Sequence, residues 1–339
     1  DFALAAALAF GLLLAGDKRI SLAGAAAVAV VYLVAFPVRE HRFDDIAFTW
    51  GIRDYEHAAD EWSPYYKIDL IIYNGGRTLC GLYNYTGMIL GLGHGADVRE
   101  AAKYFEQLHR ASIPPRAQKA LILGSGGGQS HPILRLRSVE KVTAVEIDPV
   151  IVRLMKNRFS EYNDGFYTDP RVTPVVAEGR TFLERTNEKY DFIEFESLDT
   201  RLYSSMMNIV PVEFRLYTRE GIAEAVGRLS EGGVFRITMG TDDMTNVVSP
   251  IVAGMPDDVH FAVYELKLNL KKLAGLGGGV DDGNQSMKVL SGWTEKVPQV
   301  AIFASRDERA IERINDWYAS LGPEAEGHVR KVDVVPDTE

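Results

Sequence analysis

Five carboxylates in the middle of the chain stand where they could act together: Glu146, Asp148, Glu178, Glu196 and Asp199. They fall just beyond short apolar runs, the pattern of buried strands that end in acids. Ahead of the first pair lies Gly124-Ser125-Gly126-Gly127-Gly128, a turn in which side chains would obstruct a bound group. Strand, glycine turn, helix, strand and terminal acid make the nucleotide half-site of doubly wound α/β proteins. Gly124, Gly126 and Gly128 let the backbone approach a ligand. Glu146, with Asp148 two residues on, is placed to accept hydrogen bonds from ribose hydroxyls. A carboxylate such as Glu196 can orient an amine and take a proton from it. Taken singly, each acid also reads as a solvated loop residue, and the glycine cluster as a plain loop. Their common place at the ends of successive strands favours one shared site.

The elements that must position these residues follow from periodicity. Strands are expected near 120–123, 142–146, 172–176, 190–196 and 233–239, with helices near 130–138, 149–159, 179–187 and 217–230. Alternating strands and helices build a mostly parallel sheet, and its ligands bind beyond the carboxyl ends of the strands. A last strand is expected at 300–305 and a closing amphipathic helix at 309–321. Upstream, 66–73 and 78–85 flank Asn74-Gly75-Gly76-Arg77, a hairpin signal. A helix is expected at 98–109. The Gly- and Lys-rich stretch 268–296 reads as a loop.

The amino-terminal region differs in kind. Phe2 to Ala15 carries no charge, Gly16-Asp17-Lys18-Arg19 interrupts, and Ile20 to Val38 is again uncharged. The second run would span about 28 Å as a helix, close to the thickness of a bilayer core. A buried core helix or a signal peptide gives a similar pattern. Two runs around a four-residue charged turn fit a transmembrane hairpin better. Formal net charge is −10, which argues against a nucleic-acid partner. The single cysteine, Cys80, excludes an intrachain disulfide, and seven scattered His offer no metal-binding spacing.

Several of these motifs carry a resemblance. Ser138-Val139-Glu140-Lys141-Val142-Thr143-Ala144-Val145-Glu146-Ile147-Asp148, behind the glycine loop, resembles the spermidine synthase (polyamine aminopropyltransferase) family. Ala177-Glu178-Gly179 resembles its G-D-G segment and Glu196-Ser197-Leu198-Asp199 its D-S-x-D segment. Ser63-Pro64-Tyr65-Tyr66 and Tyr104-Phe105-Glu106 are similar to further family motifs. Leu216-Tyr217-Thr218-Arg219-Glu220 resembles the membrane-fused branch. The resemblance implies a class I methyltransferase-like (Rossmann-type) doubly wound sheet, preceded by a small β-hairpin domain. It implies an adenosyl ligand, either S-adenosylmethionine or its decarboxylated form. It places Glu178 on the adenine amino group, Glu196 and Asp199 in catalysis, and Tyr66, Glu106 and Tyr217 on the substrate amine. Three positions depart from the family: Gly127 where it carries Asp, Phe105 where it carries His, and Glu196 where it carries Asp. The missing acid at Gly127 removes a group that would repel a ligand carboxylate.

The expected organisation is a transmembrane pair at 1–38, a linker at 39–61, the hairpin domain at 62–97, the nucleoside-binding domain at 98–322 and a tail at 323–339. The expected function is aminopropyl transfer to an amine by a membrane-anchored protein. The alternatives are an S-adenosylmethionine-dependent methyltransferase and a catalytically weak structural subunit of a membrane complex. Expected partners are a small-molecule amine, membrane lipid, other membrane-complex subunits and a second copy of the chain, with no nucleic acid. The expected location is the inner (cytoplasmic) membrane, with the soluble domain facing the cytoplasm.

Overall fold

The computed structural model describes residues 55–65, 67–73, 75–76, 78–83, 87–90, 111–196, 215–240, 248–266, 299–321 and 329–334. All of them belong to the unit Asp54–Glu339. Runs 2–15 and 20–38, helix 98–109 and loop 268–296 lie outside the described residues. Among the described residues, no helix is long and apolar enough to cross a membrane.

Two sheets make up the described part. The smaller is antiparallel, with β1 (Glu56–Trp62), β2 (Lys67–Tyr73), β3 (Thr78–Tyr83) and β4 (Gly87–Leu90) side by side in that order. Its tight turn needs left-handed backbone, which Gly75 and Gly76 supply at φ +62° and +83°. Ile68, Leu70 and Leu79 pack into the same core as the larger sheet. Two polar links add to that contact: the Tyr162 hydroxyl donates to Gly76 O at 2.8 Å, and Arg153 pairs with Glu61.

The larger sheet has eight strands: β5 (Lys119–Leu123), β6 (Lys141–Glu146), β7 (Val172–Val176), β8 (Tyr190–Glu196), β9 (Leu229–Gly240), β10 (His260–Leu266), β11 (Gln299–Ser305) and β12 (Val329–Lys331). Their spatial order is β12-β10-β11-β9-β8-β5-β6-β7. From β9 to β7 all neighbours run parallel; β11, β10 and β12 are added antiparallel. The parallel strands read as near-continuous apolar runs because both faces are covered. Among the described residues, five helices accompany the sheet: α1 (Pro149–Asn157), α2 (Gly179–Arg185), α3 (Arg219–Gly227), α4 (Ser249–Ala253) and α5 (Glu308–Ser320). Ile151 and Met155 of α1 and Ile311 and Ile314 of α5 fill one face; Leu183, Ile222 and Val252 fill the other.

Four boundaries differ from the sequence expectation. The segment expected as a linker, 39–61, ends in β1. That strand buries only Ala58 and Ala59, through a register irregularity between His57 and Ala59, so acids mask its pattern. The helix expected at 130–138 is a 3₁₀ turn at His131–Arg135; Pro132 suits its start, and Arg137-Ser138 already turn towards β6. The expected tail, 323–339, contributes β12, which pairs with β10. Strand β10 itself follows a helix too short to show a period, which hid both elements.

Candidate functional site

The glycine turn after β5 is held from both sides. Gly124 and Ser125 donate their N–H groups to Val145 O at 2.9 and 3.0 Å, and Gly128 N donates to Ser125 O at 2.7 Å. Below it, Asn163 Nδ2 donates to Gly127 O at 3.0 Å, while Asn163 Oδ1 accepts from Phe166 N at 3.1 Å. The Tyr167 hydroxyl stands 2.7 Å from Gly126 O and 3.0 Å from Ser125 Oγ. Gly128 has φ +85°, and a Cβ there would stand 3.0 Å from Phe166 Cδ1 and 3.1 Å from Asn163 Nδ2. Only glycine fits that position without strain.

Glu146 closes the turn from the end of β6. Its Oε2 accepts from Gly126 N at 2.8 Å and its Oε1 from Asp148 N at 2.9 Å. Burial pushes this carboxyl up to about 7, against the pull of those two backbone donors. Asp148 Oδ1 caps α1 by accepting from Val150 N at 2.8 Å. Its Oδ2 is buried without a hydrogen-bond partner among the described residues.

Glu196 ends β8, and alternation puts Phe192, Glu194 and Glu196 on one face. Glu196 is 7% exposed, and its Oε2 has no hydrogen-bond partner among the described residues. Burial first, and then the charge of Glu194, hold its carboxyl well above the usual range; Ser130 and Arg236 pull it back, and Glu146 adds to the rise. Glu194 is itself engaged on both oxygens. Arg236, opposite it on β9, pairs with Oε1, and Ser130 Oγ donates to Oε2 at 2.8 Å. Arg236 Nη1 donates to Ser112 Oγ at 2.9 Å, and its guanidinium lies 5.2 Å from the centroid of the Phe192 ring.

The structure thus brings Gly124, Gly126, Gly128, Glu146, Asp148 and Glu196 together. Glu178 is turned into its own helix: it caps α2, accepting from Arg180 N, Thr181 N and Thr181 Oγ1 at 2.9, 2.9 and 2.7 Å. Arg215 adds an ion pair at 3.3 Å. Tyr217 packs its ring edge-on to Phe195, 6.0 Å between centroids, on the face away from the Glu196 side chain. Tyr66, Glu106 and Asp199 lie outside the described residues. Sequence reasoning missed Ser130, Asn163, Tyr167, Glu194 and Arg236. A signal existed for the last two: a lone charge inside an apolar run, with Glu194 two residues before Glu196 on the same face.

These residues suit an adenosyl ligand on three counts. The turn takes left-handed backbone at Gly124, Gly126 and Gly128 and carries no side chain at any of them, Glu146 offers acceptors for a diol, and Glu196 Oε2 is a buried acceptor lacking a donor. Among the described residues, no group of three or more His, Cys, Asp or Glu could hold a metal ion.

Comparison with known proteins agrees with this geometry. Residues 89–246 match the family described as the spermine/spermidine synthase domain. A polyamine aminopropyltransferase of Sodalis glossinidius is 29% identical over 196 residues, 55% of this chain and 64% of that one. One from Saccharolobus islandicus is 32% identical over 123 residues, 36% and 38% of the two chains. One from Buchnera aphidicola is 33% identical over 144 residues, 40% and 50%. The chain therefore matches between 38% and 64% of the length of these relatives. Its fold is shared with a spermidine synthase crystallised with the transition-state analogue AdoDATO, at TM-score 0.50 and 19% identity over 76% of each chain. It is shared equally with a probable spermidine synthase from Corynebacterium glutamicum, at TM-score 0.51 and 15% identity over 81% and 90%. The domain at 89–246, which holds the glycine turn and the acids at the strand ends, is similar to the spermine/spermidine synthase domain.

Proposed function

We propose that this protein transfers an aminopropyl group from decarboxylated S-adenosylmethionine to a small amine. The observation that carries the reading is Glu196 Oε2, a buried carboxyl oxygen with no hydrogen-bond partner among the described residues, at the strand end beside Glu146. When bound, the sulfonium donor supplies an electrophilic carbon and leaves as a thioether nucleoside.

The chain's own residues do the rest. Glu146 accepts from the ribose hydroxyls while its backbone donors hold it in place. The turn at 124–128 lets the nucleoside lie against backbone. Glu196 orients the acceptor amine and takes its proton, so that nitrogen presents a lone pair. Asp199, Glu106 and Tyr66 are assigned to the amine by the family pattern alone. Gly127 supplies no carboxylate to the donor's amine end, so preference for the decarboxylated form must come from other residues. Anchoring of the domain to a membrane, facing the cytoplasm, belongs to the same reading and rests on the two uncharged runs at 2–15 and 20–38. Release of the full chain by alkaline carbonate without detergent would remove that part.

The deciding experiment offers the full chain a diamine with decarboxylated S-adenosylmethionine, and in parallel with the ordinary form, and follows thioether nucleoside release. Product from the decarboxylated form, reduced about a hundredfold by Glu196→Gln, is the expected outcome. Methyl transfer from the ordinary form with no aminopropyl product overturns it. Glu146→Ala should weaken binding of methylthioadenosine by about 2 kcal/mol in calorimetry.

A further inference from the structure

Beneath Glu196 lies a second carboxylate that the proposed reaction does not use. Glu194 is 3% exposed and Arg236, its partner on the neighbouring strand, 5%. Such a pair is a weak source of stability, since desolvation offsets most of its attraction. Its placement is more informative. The fully buried Ser130 hydroxyl, at the end of the glycine turn, donates to Glu194 Oε2 at 2.8 Å, and its nearness pulls the Glu196 carboxyl back towards the ordinary range. One hydroxyl stands between two carboxylates.

We propose that Ser130, Glu194 and Arg236 form a positioning unit for Glu196: the ion pair fixes the Glu194 side chain in place, and Ser130 holds one oxygen of Glu196 so that Oε2 is left for the incoming amine. The inference rests on Glu196 as the proton acceptor described above. A serine hydroxyl has one proton and two lone pairs, so it can donate to one carboxylate and accept from the other. With Glu196 protonated, its O–H can donate to Ser130 Oγ while Ser130 donates to Glu194. With Glu196 ionised, two anions compete for that single proton. Arg236 does not resolve the competition evenly. Its Nη2 is committed to Glu194, its Nη1 to Ser112, and its plane to Phe192. The cation is thus held on Glu194, and Glu196 is the member of the pair whose Oε2 has no hydrogen-bond partner among the described residues.

The proton balance is simple. The N–H bond of the attacking amine breaks, its electron pair stays on nitrogen, and the proton joins Glu196. Among the described residues, the groups facing Glu196 are Glu146 from β6, Glu194 from β8, Arg236 from β9, Ser130 from the turn and Tyr167 from the segment below it. Glu146 is tied to two backbone donors and Tyr167 to the turn, so neither can replace Ser130 as the bridge.

The test uses the full chain with two readouts: the pH dependence of kcat/KM for aminopropyl transfer, and an infrared titration of protonated buried carboxyls without substrate. The Glu196 band is identified by its loss in Glu196→Gln. Ser130→Ala should move the acid limb and the Glu196 band to higher pH, because the ionised form loses a donor, and Ser130→Thr should restore both. The double variant Glu194→Leu/Arg236→Met removes both charges without stranding either. It should move limb and band to lower pH, since the nearer negative charge is gone. Opposite shifts from the two variants, about tenfold each in the ionisation constant, are expected; a loss of packing alone would not produce them. An unmoved band in both, or no rescue by threonine, overturns the unit. Should wild type give no product, the functional reading fails by itself, and the infrared shifts still decide this one.

Discussion

The two halves of the site satisfy their polar groups in different currencies. Around Glu146 the partners are the backbone N–H groups of Gly126 and Asp148. Around Glu196 they are other side chains, and charged ones: Glu194, Arg236 and Ser130. Backbone partners come with the turn, so the first half depends on its glycines and on Asn163 and Tyr167, which hold them. Side-chain partners are supplied one by one, so the second half tolerates pairs of changes but not single ones.

The largest effect should come from breaking the charged half unevenly. Arg236→Met alone leaves Glu194 buried and uncompensated, and should cost about 3–5 kcal/mol in denaturant unfolding. The double variant Glu194→Leu/Arg236→Met should recover most of that loss. If the single variant is as stable as the double, the contrast between the two halves fails.

A second effect falls on Glu146, where both halves meet. Its carboxyl is raised to about 7 from an ordinary 4.5, so the fold disfavours its ionised form. The stability it contributes is therefore present below about 4.5 and is lost as pH rises through about 7. The full swing is on the order of 3 kcal/mol. Glu146→Gln should flatten the fall in thermal stability across that window; a wild-type slope of opposite sign would contradict the burial described. The smallest effect belongs to the turn. Gly128→Ala must adopt a left-handed conformation and push aside Phe166 and Asn163, which should cost about 1–3 kcal/mol in chemical unfolding. It should also weaken methylthioadenosine binding, because the turn cannot shift without moving Gly126 off Glu146.

The same contrast explains which parts of the molecule are legible in its sequence. Strands β5 and β6 are legible because burial on both faces leaves short apolar runs, and the turn because glycines cluster where φ must be positive. Glu146 is legible through its place one strand beyond that turn. Glu178 shows the limit. Its position at a strand end is plain from the chain, but not that a following helix would claim both its oxygens as a cap. Glu194 and Arg236 are forty-two residues apart and face each other only through the register of β8 and β9. No local pattern encodes a cross-strand partner. Strands β1 and β12 escape because both lie at sheet edges: β1 buries only two residues, and β12 pairs with β10, distant in sequence.

The order of the strands also has a consequence for how the protein is made. Strand β11 sits between β9 and β10, yet it is synthesised after both. When Gly240 has been added, the β9 edge has no partner until Gln299 to Ser305 arrive, about 60 residues later. At ~5–20 residues per second, that leaves the growing edge bare on the ribosome for roughly 3–12 s. Ten of the twelve residues Leu229–Gly240 carry no charge, so this window is when a nascent chain is most open to pairing with its neighbour on the same message. Slower decoding between β10 and β11 should lengthen that exposure and lower the soluble yield.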